Sequence, residues 1–313
     1  MNNIKHKLNP HWVTGLIDAE GCFYVRLAKS KNHKIGWYTH ACFQLGFHIR
    51  DKDLLLQIKS FFNETGSIYT MNNNKALLYQ VRNLSDITKI IIPHFEKYPL
   101  ITKKQSDFLL FKEIVKLMNK GEHLTIDGLV KIVNLKASLN KGLSDELKGY
   151  FPKVMEIRRS LAIVPNNIDY NWIAGFFTGE GCFYVSIYKP TYNNNCRYIV
   201  SLRIMIAQHS KDKLLMYNLS NTLKCGVVSK HHKNAVVLTI SRFKYIYNKI
   251  IPLFNEYKIK GVKALDFQDF CKIAKLVNEK THLIPAGLEE IRKIKLNMNK
   301  GRYIKKEKLP LVR

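Results

Sequence analysis

Glu20 and Glu180 stand at matching places in two stretches, GLIDAEGCFYV from Gly15 and GFFTGEGCFYV from Gly175. Each stretch opens like an apolar helix, ends in the acid, and passes straight into strand-like sequence. A single Glu at such a junction is ordinarily a solvated helix end. Two of them in matching blocks suggest a pair with a shared task. Each block also places small residues four apart, Gly15 and Ala19, then Gly175 and Gly179, a spacing that lets helix backbones approach closely. If a pseudo-twofold axis relates the blocks, the two helices meet and the two carboxylates lie side by side. Adjacent carboxylates repel unless one is protonated or a cation lies between them. The backbone carbonyls of Ala19 and Gly179, at negative helix ends, would add further oxygen ligands. A site made only of oxygen suits Mg²⁺ rather than zinc, with Mn²⁺ or Ca²⁺ able to substitute for binding. Paired acids around such an ion on a basic protein point to phosphodiester hydrolysis.

The charge agrees with that chemistry. Among 313 residues, 51 Lys+Arg stand against 24 Asp+Glu, a formal net charge of +27. A folded chain tolerates such self-repulsion most readily beside a polyanion, and nucleic acid is a better candidate than an anionic membrane. Charge alone gives salt-sensitive, sequence-blind binding. Hydrophobic content of 46% supports true cores, and no apolar run is long enough to suggest a membrane span. The first residues, MNNIKHKLNPHW, show no import signal. Cys22, Cys42, Cys182, Cys196, Cys225 and Cys271 form no CxxC pair, so reduced thiols in an intracellular setting are expected and zinc is not. Abundant Asn, Lys, Ile, Tyr and Phe share AT-rich codons, consistent with an organellar gene.

The repetition extends well beyond the acids. WVTGLIDAEGCFYVRL returns as WIAGFFTGEGCFYVSI, IIIPHFEKYPLITKKQSDF as KIIPLFNEYKIKGVKALDF, and HLTIDGLVKIVNLKASLNKG as HLIPAGLEEIRKIKLNMNKG, all at an offset of about 160 residues. The chain is a tandem duplication, with a first repeat over 1–150, a linker over 151–168 and a second repeat over 169–313. Apolar spacing within each repeat predicts a helix, two strands, a helix, two strands and closing helices. Phe23, Val25, Leu27, Ala41, Phe43 and Leu45 mark one face of the first strand pair, DKDLLLQIKSFF reads as an amphipathic helix, and NNNK reads as a hairpin turn. The expected fold class is α+β, two αββαββα repeats, each a four-stranded antiparallel sheet backed by helices.

The segments VTGLIDAEG and IAGFFTGEG resemble the two signature motifs of LAGLIDADG homing endonucleases. In the second motif Thr178 replaces the acid present as Asp18. HFEKYPLITKKQSDF, GEHLTIDGLVKIV and LNKGL are similar to the single-chain branch encoded in fungal mitochondrial introns. The resemblance implies a monomer that mimics a dimer, a saddle of two sheets in the DNA major groove, divalent-metal-dependent cleavage of both strands at a long target, and a mitochondrial location. It places the metal-binding acids on Glu20 and Glu180. A polar position ordering the attacking water's surroundings falls on Gln208, against Phe47 in the first repeat. A lysine in the turn after the sheet falls on Lys260, against Ile101, with Lys263 and Lys104 as nearby alternatives.

Strand alternation then marks the surface expected to face DNA. In the first repeat these residues are Tyr24, Arg26, Tyr38, His40 and Gln44, followed by Ser67, Tyr69, Gln80 and Arg82. In the second they are Tyr184, Ser186, Tyr188, Ser201 and Arg203, followed by Ser229, His231, Thr239 and Ser241. Gln and Arg suit base edges, Met205 and Val237 suit thymine methyls, and the lysines of SKNHK and KHHKN suit phosphates. Two other readings compete with the endonuclease: an intron maturase or DNA-binding relative without cleavage, which could engage intron RNA, and a basic structural protein. Retention of both acids favours the enzyme, since a binder has no need of them.

Overall fold

The computed structural model describes residues 8–71, 74–190 and 198–302. The chain divides into two compact units, Met1–Pro165 and Asn166–Arg313. Asn72 and Asn73 of the expected hairpin turn, and Cys196, lie outside the described residues.

In the first unit, α1 (Pro10–Glu20) leads directly into β1 (Gly21–Lys29) and β2 (Trp37–His48), followed by α2 (Lys52–Phe61), β3 (Ser67–Met71) and β4 (Ala76–Val81). A short turn, α3 (Leu84–Asp86), runs through a π-helical turn, Ile87–Ile91, into α4 (Ile92–Lys97). Three helices close the unit: α5 (Lys104–Asn119), α6 (Ile126–Ala137) and α7 (Asp145–Tyr150). The second unit repeats the plan with α8 (Tyr170–Glu180), β5 (Gly181–Tyr188), β6 (Ile199–His209), α9 (Lys213–Leu223), β7 (Val227–His232) and β8 (Ala235–Ile240). It then continues through α10 (Phe243–Tyr245), a π turn at Ile246–Ile250, α11 (Ile251–Glu256), α12 (Gly261–Asn278) and α13 (Pro285–Lys295). Both sheets are antiparallel, in the orders β1-β2-β4-β3 and β5-β6-β8-β7. This is the α+β repeat expected from the apolar periodicity.

Local chemistry explains the boundaries. Asn9 caps α1 by accepting from the His11 and Trp12 N–H groups, with Pro10 as the first helical residue, and Asp169 caps α8 in the same way. The side chain at the cap satisfies N–H groups that the helix itself cannot. At the other end the glycine after each Glu is required. A Cβ on Gly21 would lie 2.4 Å from Ile17 Cγ2, and one on Gly181 would lie 2.5 Å from the Phe177 carbonyl oxygen. Only glycine lets the strand leave the helix without an intervening loop, which leaves Glu20 and Glu180 as the last helical residues. The π turns precede Pro93 and Pro252. Proline has no N–H to donate and crowds the preceding turn, and a wider turn absorbs both defects.

Each sheet packs its inner face on the closing helices through aromatic rings. Phe23 meets Phe43, Phe95, Phe108 and Phe111 at centroid separations of 5.3–5.5 Å. Phe183 meets Phe254, Phe267 and Phe270 in the corresponding place. A second repeated device covers the edge strands. Asn140, at φ 54°, donates through Nδ2 to the Phe23 carbonyl at 2.7 Å, and Asn299, at φ 51°, does so to the Phe183 carbonyl at 2.9 Å. Their backbone N–H groups bind Asp107 and Asp266. Those carboxylates in turn pair with Arg159 and Arg302. Asparagine tolerates the left-handed conformation needed to make both contacts from one residue.

Residues 152–165 contain no helix or strand, yet several of them are held along the first unit. The Met155 N–H donates to Asn134, the Ile163 N–H donates to Gln105 at 2.7 Å, and the Ser160 carbonyl accepts from Ser106.

Candidate active site and nucleic-acid interface

The acid-bearing helix ends are braced by the segment that enters the long closing helix of each unit. Residues Trp12–Asp18 of α1 are all buried, while Glu20 is exposed; Glu180 is half-buried. Asp18 accepts from the Ile101 N–H at 3.0 Å, the Thr102 N–H at 3.3 Å and the Thr102 hydroxyl at 2.6 Å. The motif's first acid therefore ties α1 to the start of α5. In the second unit Thr178 does the same work without a charge, donating to the Ala174 carbonyl at 2.9 Å and accepting from the Lys260 N–H at 3.3 Å.

Lysines from the long closing helices α5 and α12 reach these ends. Lys104 Nζ donates to the Ile17 carbonyl at 2.9 Å and to the Ala19 carbonyl at 3.4 Å. Lys263 Nζ donates to the Gly181 carbonyl at 2.5 Å. Both sit in the first turn of α5 or α12, where side chains lean back beyond the helix start. Lys260 is the cap residue of α12, in extended conformation, and its backbone N–H donates to Thr178 of the motif helix. Burial also lowers the pKa of its ammonium. The family resemblance placed the site lysine at Lys260; the geometry brings Lys263 and its counterpart Lys104 to the acid ends. Gln208 is half-buried opposite Val236, and Phe47 lies opposite Leu77. Both continue the alternation of the core residues, Ile204 and Ile206 in one case and Phe43 and Leu45 in the other, away from the outward set.

The donors at each end are a carboxylate and backbone carbonyls. Hard oxygen of this kind fits an alkaline-earth cation. Among the described residues no three His, Cys, Asp or Glu side chains gather as a transition-metal site would require. Cys22, Cys42, Cys182, Cys225 and Cys271 are free thiols.

On the first sheet Tyr24 and Arg26 are exposed and oppose Cys42 and His40 across the strand pair. Tyr38 is exposed, with its ring stacked 6.0 Å from that of His40. Burial, then the neighbouring Arg82 and Arg26, lowers the His40 pKa. Gln44, half-buried, opposes both Cys22 and Gln80. Gln80 is on the expected face but is buried, so its predicted place on the open surface requires correction: its amide is enclosed between Gln44 and Arg82. Ser67 and Tyr69 are exposed, and the Arg82 guanidinium lies over the Tyr69 ring at 5.3 Å.

On the second sheet Tyr184 opposes Arg203, both exposed, and Ser186 opposes Ser201, both half-buried. Tyr188, Ser229, His231 and Ser241 are exposed, while Met205, Val237 and Thr239 are half-buried on the same face. Lys31, Lys34 and Lys233 are exposed in loops; Lys230, expected in a loop, is exposed on strand β7, where it pairs with Val236.

Further cations were missed in the sequence. A cavity of about 490 Å³ beside Tyr24 and Arg26 is also lined by Lys29, Lys136 and Lys141. The Lys136 ammonium lies 5.8 Å from the Tyr24 ring centroid, and burial lowers its pKa. The available signal was its spacing, since Lys136 continues the apolar stripe Leu129, Ile132, Val133 of α6.

The family model described as LAGLIDADG endonuclease matches residues 13–115 and 173–274, one match per unit. The chain belongs to the LAGLIDADG endonuclease family. Among named relatives, it is 39% identical over 287 residues to "Probable intron-encoded endonuclease 3" of Neurospora crassa, covering 91% of this chain and 53% of that protein. The chain thus spans about half the length of that LAGLIDADG relative. A crystal structure of the LAGLIDADG homing endonuclease I-SmaMI bound to cleaved DNA matches with a TM-score of 0.90 at 44% identity, over 95% of this chain and 98% of that one. A second I-SmaMI structure, bound to an uncleaved DNA target in the presence of calcium ions, matches with a TM-score of 0.90 at 43% identity, over 94% and 99%. No helix among the described residues is long and apolar enough to cross a membrane.

Proposed function

We propose that this LAGLIDADG chain is a site-specific, divalent-metal-dependent DNA endonuclease that hydrolyses both strands of a long asymmetric duplex. The observation that carries the reading is made twice. A helix ends in a glutamate, a lysine from the first turn of a later, closing helix binds one or two carbonyls at that junction, and the end opens directly into a sheet. A structural basic protein has no use for that arrangement, and neither does a DNA binder without cleavage.

Glu20 and Glu180 would hold the metal, with the carbonyls of Ala19 and Gly179 as further oxygen donors. Mg²⁺ is the proposed physiological ion, and the calcium present in the I-SmaMI structure has the same preference for hard oxygen. When bound, such an ion activates water and stabilises the leaving oxygen. The chain's own groups do the rest. Lys104 and Lys263 hold positive charge within one residue of each acid, where a scissile phosphate gains charge. Asp18 and Thr178 fix the helix ends against movement. Gln208 is proposed to order the polar surroundings of the second acid, and Lys260 to add phosphate-neutralising charge. The outward residues of both sheets position the duplex: Arg26, Gln44, Arg82 and Arg203 at base edges, and Met205 and Val237 at thymine methyls. The loop lysines contact phosphates. An organellar, mitochondrial site of action is proposed from the composition and the intron-encoded relative.

The test is a cleavage selection on a randomised duplex library in Mg²⁺, with Glu20→Gln as control. The expected result is one long cleaved sequence recovered with the natural chain and none with the variant. Cutting by Glu20→Gln at the natural rate would overturn the site.

A further inference from the structure

The outer face of the first sheet contains a hydrogen-bonded chain that the second sheet lacks. Gln80 is 8% exposed, yet it stands on the outward alternation of β4. Its Nε2 donates to Gln44 Oε1 at 3.0 Å, and its Oε1 accepts from Arg82 Nη2. Arg82 has only donors, so it takes the Gln80 oxygen and leaves the amide nitrogen for Gln44. The guanidinium lies over the Tyr69 ring, 5.3 Å from its centroid. In the second sheet the residue opposing Thr239 is Met205, where the first sheet pairs Gln80 with Gln44, and Ser241 follows β8 where Arg82 follows β4.

We infer that Arg82 is the guanine-reading residue of the first unit, and that Gln80 is a positioning residue that aims it. A phosphate can be met by a charge alone, as lysine meets it, or by two guanidinium N–H groups from any side that reaches it. Paired contact with guanine O6 and N7 needs a guanidinium held edge-on to the base, which the side contact from Gln80 and the ring beneath supply. Arg82 follows β4, an interior strand of the sheet, where a base-reading side chain belongs. The inference rests on the proposed DNA-binding function.

The experiment starts from the selected target. Affinity is measured in Ca²⁺ for that duplex and for every single-base variant of it, with the natural chain, Arg82→Ala, Gln80→Leu, Gln80→Glu and Tyr69→Leu. The natural chain should prefer guanine at one base pair by roughly 5- to 150-fold, and 7-deazaguanine there should remove most of that preference. Arg82→Ala and Gln80→Leu should flatten that same position and no other. Gln80→Glu, which still accepts from Arg82, should restore it. Tyr69→Leu, at an exposed site, should weaken the preference at that position even if Gln80→Leu fails to fold. Uniform weakening on all duplexes by Arg82→Ala would make it a phosphate contact and overturn the inference. So would a Gln80→Leu profile that keeps the guanine or changes at another base pair. A chain that binds no duplex would overturn the proposed function as well, so the two failures are distinguishable.

Discussion

The two sheets share a strand order and, apart from a register shift between Lys230 and His232 in β7, a pairing register, and they differ on the side that faces outward. One row of the first sheet reads Cys22, Gln44, Gln80, Ser67; the corresponding row of the second reads Cys182, Met205, Thr239, Val227. The inner faces keep their apolar core even where the residue changes, Phe43 to Ile204 and Tyr79 to Leu238, with Phe23 and Phe183 at the centre of corresponding ring clusters. Packing constrains the inner face because each ring touches several others. The outer face is free of that constraint. On the proposed function, an asymmetric target, read by hydrogen bonds on one side and partly by apolar contact on the other, is the physical outcome of that freedom.

The acids are where the halves are expected to be least different. Glu20→Gln and Glu180→Gln should each lower cleavage by about 10²–10³-fold or more, with duplex affinity in Ca²⁺ retained; single-turnover assays that found one variant fully active would remove that unit from the chemistry. The lysines come next. Lys104→Met and Lys263→Met should each slow cleavage by roughly 10²-fold, and nicked intermediates should show whether they slow different strands. Lys260→Met should have a smaller effect than Lys263→Met on the chemical step; the reverse order would return the role to the cap residue.

Acid stability should separate the units more sharply. Burial pushes the His94 pKa down to about 4, from an ordinary 6.5. Its Nε2 lies 3.1 Å from Thr14 Oγ1, a hydroxyl that also donates to the Tyr98 carbonyl. The unfolded chain takes up the proton near pH 6.5 and the native unit does not. This contribution is therefore complete above that pH and is lost as pH falls toward about 4, to the extent of about 3 kcal/mol. The second unit has Ala174 and Leu253 at the matching positions, so the first unit should unfold first in acid. Thr14→Ala with His94→Leu should remove that part of the pH dependence, as followed by chemical denaturation from pH 7 to 4.5. A smaller effect is expected from exchanging the braces. Asp18→Thr should cost about 1–3 kcal/mol because three donors lose a carboxylate, whereas Thr178→Asp, which sets a carboxylate against the N-terminus of α12, should change stability by about 1 kcal/mol or less. Thermal melts that showed equal costs would mean the two braces are interchangeable.

Much of this was legible in the sequence because duplication prints each structural decision twice. The Glu-Gly junctions, the core alternation and the capping residues Asn9 and Asp169 all carry local signals. The reach of Lys104 and Lys263 to the acid ends did not, because matching two repeats across a turn fixes a position but not the direction of a side chain. Only the start of α12 at Gly261 puts Lys263 in a first turn, where its side chain leans back to the Gly181 carbonyl. Gln80 shows a different limit: alternation assigned its face correctly, but lateral hydrogen bonds from Gln44 and Arg82 bury it. Lys136 was hidden by its charge on an apolar stripe.

The segment between the repeats has a consequence for anyone who would re-engineer this chain. Arg159 reaches Asp107 at 2.8 Å and the Ser138 carbonyl at 3.1 Å, the place that Arg302 fills for Asp266 in the second unit. One aspartate receives its cation from the connecting segment and the other from the residues after α13. The tether is therefore a splint as well as a spacer. Replacing it with a glycine-serine linker of equal reach would leave a nearly buried carboxylate without its arginine and loosen the clasp on β1. Fusions or split versions of the chain should cut after Pro165, not before Arg159.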